Sequence, residues 1–174
     1  MDRNDTDKID STVMLFCGIG TALLGYLAYV HLAAVGQASC GFGGGVSCDV
    51  VNASAYSELF GLPVALLGIF YFLAVFALTR LRRLGGRYNL MAALTLFALV
   101  FSVYLSAVEF LVIGAFCLFC ESSKAVMLVI LICSYIGIRR TEKKVRPGLM
   151  AVAFLLGAFL SAVSFLSAGG WPSA

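Results

Sequence analysis

The chain has 174 residues, of which 61% are hydrophobic and 12% charged, with a formal net charge of +3 and a mean hydropathy of +1.01. Soluble domains carry about half apolar and about a quarter charged residues, so this composition excludes an ordinary water-soluble domain and places the chain in lipid. Eleven of the twelve Lys and Arg lie in three clusters: Arg3 and Lys8; Arg80, Arg82, Arg83 and Arg87; and Arg139, Arg140, Lys143, Lys144 and Arg146. None is interleaved with aromatic residues, which argues against a nucleic-acid partner and for a role in membrane orientation.

Five apolar segments run between these clusters, at about Thr12–Gly36, Gly61–Thr79, Leu90–Ile113, Phe116–Ile138 and Leu149–Ala168. Each is near or above the ~20 residues a helix needs to cross a bilayer. Backbone groups in lipid must be satisfied within the segment, so these are expected to be transmembrane helices. The first is read as an uncleaved span. Its leading segment "MDRNDTDKID" is more acidic than basic, and its apolar core exceeds the ~7–15 residues of a signal peptide.

With basic loops facing the cytoplasm, the N-terminus is inside and the C-terminus outside. The expected molecule is a single all-α integral membrane domain, multi-pass in a membrane such as the bacterial inner membrane. The loop 37–60 and the short turn before Cys117 then share the extracytoplasmic face, the oxidising side on which disulfides persist.

Six cysteines divide between two settings. Cys17 and Cys133 lie among Leu, Ile and Phe in the inner halves of their helices and read as small buried hydrophobes. Cys40, Cys48, Cys117 and Cys120 lie at or near the outer face. "CLFC" at the head of a helix is a redox spacing: residues three apart face the same way, and the helix N-terminus favours thiolate, the attacking form. The loop pair is separated by "GFGGGVS", whose four glycines make a flexible tether suited to a carrier that swings between partners.

Other assignments compete. The glycine run lacks the preceding strand and following Lys-Ser/Thr of a phosphate cradle. "NAS" at Asn52 is a glycosylation sequon on the correct side, a triplet that also arises by chance. A structural membrane protein, with four cysteines as static staples or zinc ligands, is the main alternative. Zinc sites usually pair two short knuckles, whereas one pair here has a seven-residue gap. The single histidine, His31, reads as interfacial rather than as a ligand, and no metal is expected.

Taken together, the loop pair Cys40 and Cys48, the run "CDVVNASAYSELFGLPVALLG" and the membrane pair Cys117 and Cys120 resemble the vitamin K epoxide reductase family, particularly its bacterial and archaeal branch. The matching positions include Asp49, Ser54, Tyr56, Phe60, Gly61 and Pro63, and the likeness covers roughly residues 12 to 138. It implies a four-helix bundle around a quinone, capped by the extracytoplasmic cysteine loop, with a fifth transmembrane helix beside it. It also implies an electron path supporting disulfide formation in exported proteins. A reduced thioredoxin-fold (DsbA-like) thiol oxidase exchanges with Cys40, Cys48 passes the electrons to Cys117, and Cys120 attacks a ubiquinone- or menaquinone-type acceptor. The products are hydroquinone and a Cys117–Cys120 disulfide.

Within that resemblance, Asp49, Gly61 and Pro63 support the loop, while Ser54, Ser57, Phe60 and Lys124 cap or bind the quinone. Ser54 is read either as bonding the cap or its ligand, or as a helix N-cap. Lys124 stands where animal members carry a tyrosine, and Ser57 where they carry an asparagine. Both departures bear on epoxide reduction and leave quinone reduction intact. Lys124 is expected to donate to the ligand, to pair with Glu121 or Glu109, or to do both. Some bacterial members continue into a fused thioredoxin-like domain, so the partner is expected to be a separate or a fused protein.

Overall fold

The computed structural model describes residues 3–32, 47–142 and 144–167. Helix α1 (Arg3–Leu32) is followed by the short α2 (Cys48–Asn52), a 3-10 turn (Ala55–Ser57) and a hairpin of β1 (Glu58–Leu59) and β2 (Leu62–Pro63). Then come α3 (Val64–Arg80), α4 (Arg87–Val108) ending in a π-helical turn (Glu109–Ile113), α5 (Leu118–Gly137) with a second such turn (Ile138–Glu142), and α6 (Pro147–Ser167).

Among the described residues, four stretches, Asn4–Leu32, Arg87–Ile113, Leu118–Thr141 and Pro147–Ser167, are long and apolar enough to cross a membrane. Helix α3 has 17 residues, about 26 Å at ~1.5 Å per residue and short of a ~30 Å hydrocarbon core. It starts later than the expected Gly61 because Gly61–Pro63 belong to the hairpin. Glu58 pairs with Pro63 and Leu59 with Leu62, and the two-residue connection puts Phe60 at φ 53° and Gly61 at φ 78°. Positive φ at both central residues is the twist-matched hairpin turn, which Gly61 adopts at no steric cost and Phe60 does not. Pro63, with φ −55°, then leads into α3.

Helix α1 packs against α3 and α5, and α4 closes the ring against both. Helix α6 lies outside this four-helix ring on α4. Its buried residues Ala153, Gly157, Ser161 and Ser164 form one small-residue stripe, while Phe154, Leu155, Phe159 and Leu166 are exposed. Small residues let helices in lipid approach until dispersion contacts hold them. A Cβ on Gly157 would stand 2.9 Å from the Phe97 carbonyl oxygen of α4.

The end of the bundle that carries the basic clusters is closed by a buried polar clamp. Asp10, fully buried on α1, accepts from Arg87 Nη2 at 2.9 Å and from the Tyr88 hydroxyl at 2.9 Å. Arg87 Nη1 also donates to the Thr79 carbonyl at 2.9 Å, and Asn89 holds the α5–α6 connection through Lys144 O and Arg146 N. Exposed pairs, Asp7 with Arg82 and Asp5 with Arg140, surround the clamp. Removing one partner of a buried pair strands the other charge, whereas an exposed pair contributes little. Asp10→Ala is therefore expected to destabilise the fold by ~3–5 kcal/mol and Asp7→Ala by less than ~1 kcal/mol, measured by thermal unfolding of the purified protein in detergent.

Candidate functional site

The opposite end of the bundle is built on the break between α4 and α5. The π-helical turn ends at Gly114 in the left-handed region, φ 68°, where the Ala115 N–H returns to the Glu109 carbonyl at 3.2 Å. An L side chain at that φ would be strained. The chain then runs extended through Cys117, the N-cap of α5. Its sulfur accepts the Cys120 N–H at 3.3 Å, satisfying one of the amides that a helix start leaves open. The Cys117 N–H in turn donates to Glu109 Oε2 at 3.1 Å.

This cap fixes the chemistry of Cys117. The Cys120 amide holds the Cys117 sulfur at the head of α5, where an attacking sulfur is placed by the backbone itself.

Cys48, at the start of α2 and fully buried, is disulfide-bonded, while Cys117 and Cys120 are free thiols. Cys48 Sγ lies 3.5 Å from Cys117 Sγ, and the Ser47 N–H donates to the Phe116 carbonyl at 3.1 Å. The loop segment is thus hydrogen-bonded to the head of α5 where the two sulfurs meet. Cys40 and the Asp49 side chain lie outside the described residues. Cys17 is buried in α1, and Cys133 is half-buried in α5, far along the helix from Cys117 and Cys120.

Beneath these sulfurs lies a cavity of about 610 Å³ with almost wholly apolar walls, lined by α1, α3, α4 and α5 and roofed by the segment 51–60. That volume is typical of a small-molecule site. Cys117, Cys120, Ser54, Ser57, Phe60 and Lys124 all line it. Ser54 stands at the N-cap position of the 3-10 turn, but its hydroxyl donates back to the Val51 carbonyl at 2.7 Å and accepts no amide of the turn. Ser57 similarly donates to the Ser54 carbonyl at 2.8 Å. Both hydroxyls hold the roof in shape. Phe60 is 75% exposed at the hairpin tip. Lys124 is buried and ion-paired with Glu121, which also accepts from Ser106 Oγ at 2.9 Å. Of the sequence alternatives for Lys124, the structure shows the pair with Glu121; the residue also lines the cavity.

Sequence reasoning missed two contributors. His31, read as interfacial, joins α1 to the roof through the Asn52 carbonyl and Glu58 Oε1, each at 3.1 Å. The contact spans more than 20 residues, and no local pattern announces it. Glu109 was named only as a possible counter-ion, and its hydrogen bond to the Cys117 amide depends on the π-helical turn.

A model of the vitamin K epoxide reductase family matches residues 11–135, which takes in most of α1 through α5, the roof and both cysteine-bearing segments. The family is one of helical membrane oxidoreductases that use quinones as electron partners and typically pair with thioredoxin-like proteins.

The sulfur separation gives a direct test. With Cys40→Ala and Cys120→Ala, the remaining Cys48 and Cys117 should form a disulfide nearly to completion under mild oxidation, read as protection of both thiols from alkylation by mass spectrometry. Persistently alkylatable thiols would show that the two sulfurs do not meet.

Proposed function

Because the chain belongs to the vitamin K epoxide reductase family, we propose that it carries electrons from a reduced thioredoxin-fold protein to a membrane quinone, oxidising the partner's dithiol to a disulfide. The observation that carries this reading is the 3.5 Å approach of bonded Cys48 to free Cys117 above an apolar cavity. Reduced partner proteins are aqueous and quinones are lipid-soluble, so one sulfur pair must serve each phase and the two must touch.

In this path a partner thiolate attacks Cys40, and the second partner thiolate completes the partner's disulfide. Cys40 and Cys48 become thiols. Cys48 then attacks Cys117 of an oxidised membrane pair, and Cys40 resolves the mixed disulfide, leaving Cys117 and Cys120 reduced. Cys120 then acts on the quinone and Cys117 closes the disulfide, producing hydroquinone of the ubiquinone or menaquinone type.

Lys124 has three N–H donors, of which Glu121 takes one, so the ammonium can also face an electron-rich ligand oxygen. Ser54 and Ser57 keep the roof closed over the ring, with Asp49, Gly61 and Pro63 shaping the segments on either side. The basic end faces the cytoplasm and the cysteine end the oxidising compartment, as positive-inside charge placement requires. The product, a disulfide-charged partner, supports disulfide formation in exported proteins.

A static staple or zinc site would leave Cys117 and Cys120 without turnover, whereas both line an apolar cavity as free thiols. Purified protein, a reduced thioredoxin-fold partner and a short-chain quinone should together show hydroquinone formation by ultraviolet absorbance. Cys120→Ser should abolish quinone turnover with thermal stability retained, and Cys40→Ala should block exchange with the partner. Undiminished turnover in Cys120→Ser would instead support the static assignment.

A further inference from the structure

Glu109 is a carboxyl group that the electron path leaves unused. It is 3% exposed, at the start of the π-helical turn that ends α4. Burying a carboxylate in a lipid-embedded bundle is costly, and such groups usually have a task. Lys124 gives its ion pair to Glu121, and Ser106 donates to Glu121 as well. Glu109 receives the Cys117 amide N–H at 3.1 Å, and its carboxylate interacts electrostatically with the Cys120 thiol. The ionisable groups facing it are Cys117, Cys120, Glu121 and Lys124 of α5. Glu109 also lines the cavity beside both thiols.

The proposed reaction moves two protons as well as two electrons. Two thiols and a quinone give a disulfide and a hydroquinone, so each proton must leave sulfur and arrive on a ring oxygen. The attacking form is thiolate, and an apolar cavity offers little water to hold its proton in the interval. We propose that Glu109 is the proton carrier of the membrane thiol pair, taking the Cys120 proton as that sulfur attacks and delivering it to a quinone oxygen.

The step balances without another reactant. Glu109 goes from carboxylate to carboxylic acid as Cys120 becomes thiolate and forms a carbon–sulfur bond to the ring. It returns to carboxylate when the first ring oxygen is protonated. Cys117 then attacks the Cys120 sulfur, forming the disulfide and breaking the carbon–sulfur bond. That electron pair stays on the ring, and the proton of the Cys117 thiol reaches the second oxygen. This inference rests on the quinone reading above.

The test uses full-length, pre-reduced protein mixed with a short-chain quinone in a single turnover, following hydroquinone by absorbance. Glu109→Gln keeps an oxygen for the Cys117 amide but cannot carry a proton. It should slow hydroquinone formation by at least about a hundredfold, the lower end for a lost acid–base group. Glu109→Asp, which restores a carboxyl, should recover a substantial part of the rate. Oxidative joining of Cys48 to Cys117 in the Cys40→Ala, Cys120→Ala background should be unaffected by Glu109→Gln. Wild-type speed in Glu109→Gln would reduce the residue to a cap on the Cys117 amide and overturn the proposal. Should Glu109→Gln fail to fold, infrared difference spectra during turnover decide. A transient carboxylic acid band that survives in Glu121→Gln supports the proposal; no band, or its loss in that variant, overturns it. If wild-type protein makes no hydroquinone at all, the quinone reading itself falls and this inference with it.

Discussion

A buried helix end meets no water, so the amides and carbonyls left open where α4 stops and α5 starts must find partners within the protein. The cysteine end of this molecule is a solution to that constraint. Glu109 supplies a backbone carbonyl to Ala115 and a side-chain oxygen to Cys117, and the Cys117 sulfur supplies an acceptor to Cys120. The nucleophilic sulfur is thereby part of the backbone's own hydrogen bonding. A residue that is both N-cap and thiol cannot drift from the helix axis without exposing an amide. The reactive geometry is fixed by the same bonds that satisfy the buried turn.

The two ends of the bundle treat polarity in opposite ways. At the basic end, charge is buried and fully engaged: Asp10 meets Arg87 and Tyr88, and Asn89 ties down the α5–α6 connection. At the cysteine end the helices separate around a cavity, and among the described residues the charged groups Glu109 and Lys124 line it. A close-packed bundle cannot open at one end unless the other holds its helices in register. The clamp joins α1, the end of α3 and the start of α4, three of the helices that wall the cavity. It is therefore the structural counterweight to the open end, and small-residue contacts such as Gly157 against α4 add α6 to that rigid half.

Much of this was legible in the chain itself. Hydropathy gave the helices because a bilayer demands long apolar runs, and the spacing of Cys117 and Cys120 placed both at one helix head. Boundaries were harder. Hydropathy does not distinguish the extended Gly61–Pro63 from the helix it precedes, and the start of α4 at Arg87 adds polar residues that a membrane span would not predict. These are buried by Asp10, a partner 77 residues away in sequence. His31 and Glu109 escaped for the same reason: their roles are set by what the fold brings to them. Ser54 shows the limit in the other direction. A serine ahead of a helical turn reads as a cap, yet here its hydroxyl turns back to Val51.

The placement of the roof follows from how its ends are held. One end is tied at His31, through Asn52 and Glu58, and at Ser47 through Phe116; the other enters α3 through the hairpin. Between them, Ser54 and Ser57 use short-range bonds to stiffen the covering turn. A cover anchored at both ends spans one side of the cavity while leaving its apolar walls to the ligand. An apolar cavity holds few groups that can pass a proton at the moment of reaction. Any group doing acid–base work beneath this cover must already stand there, and Glu109 does so within the same turn that positions Cys117.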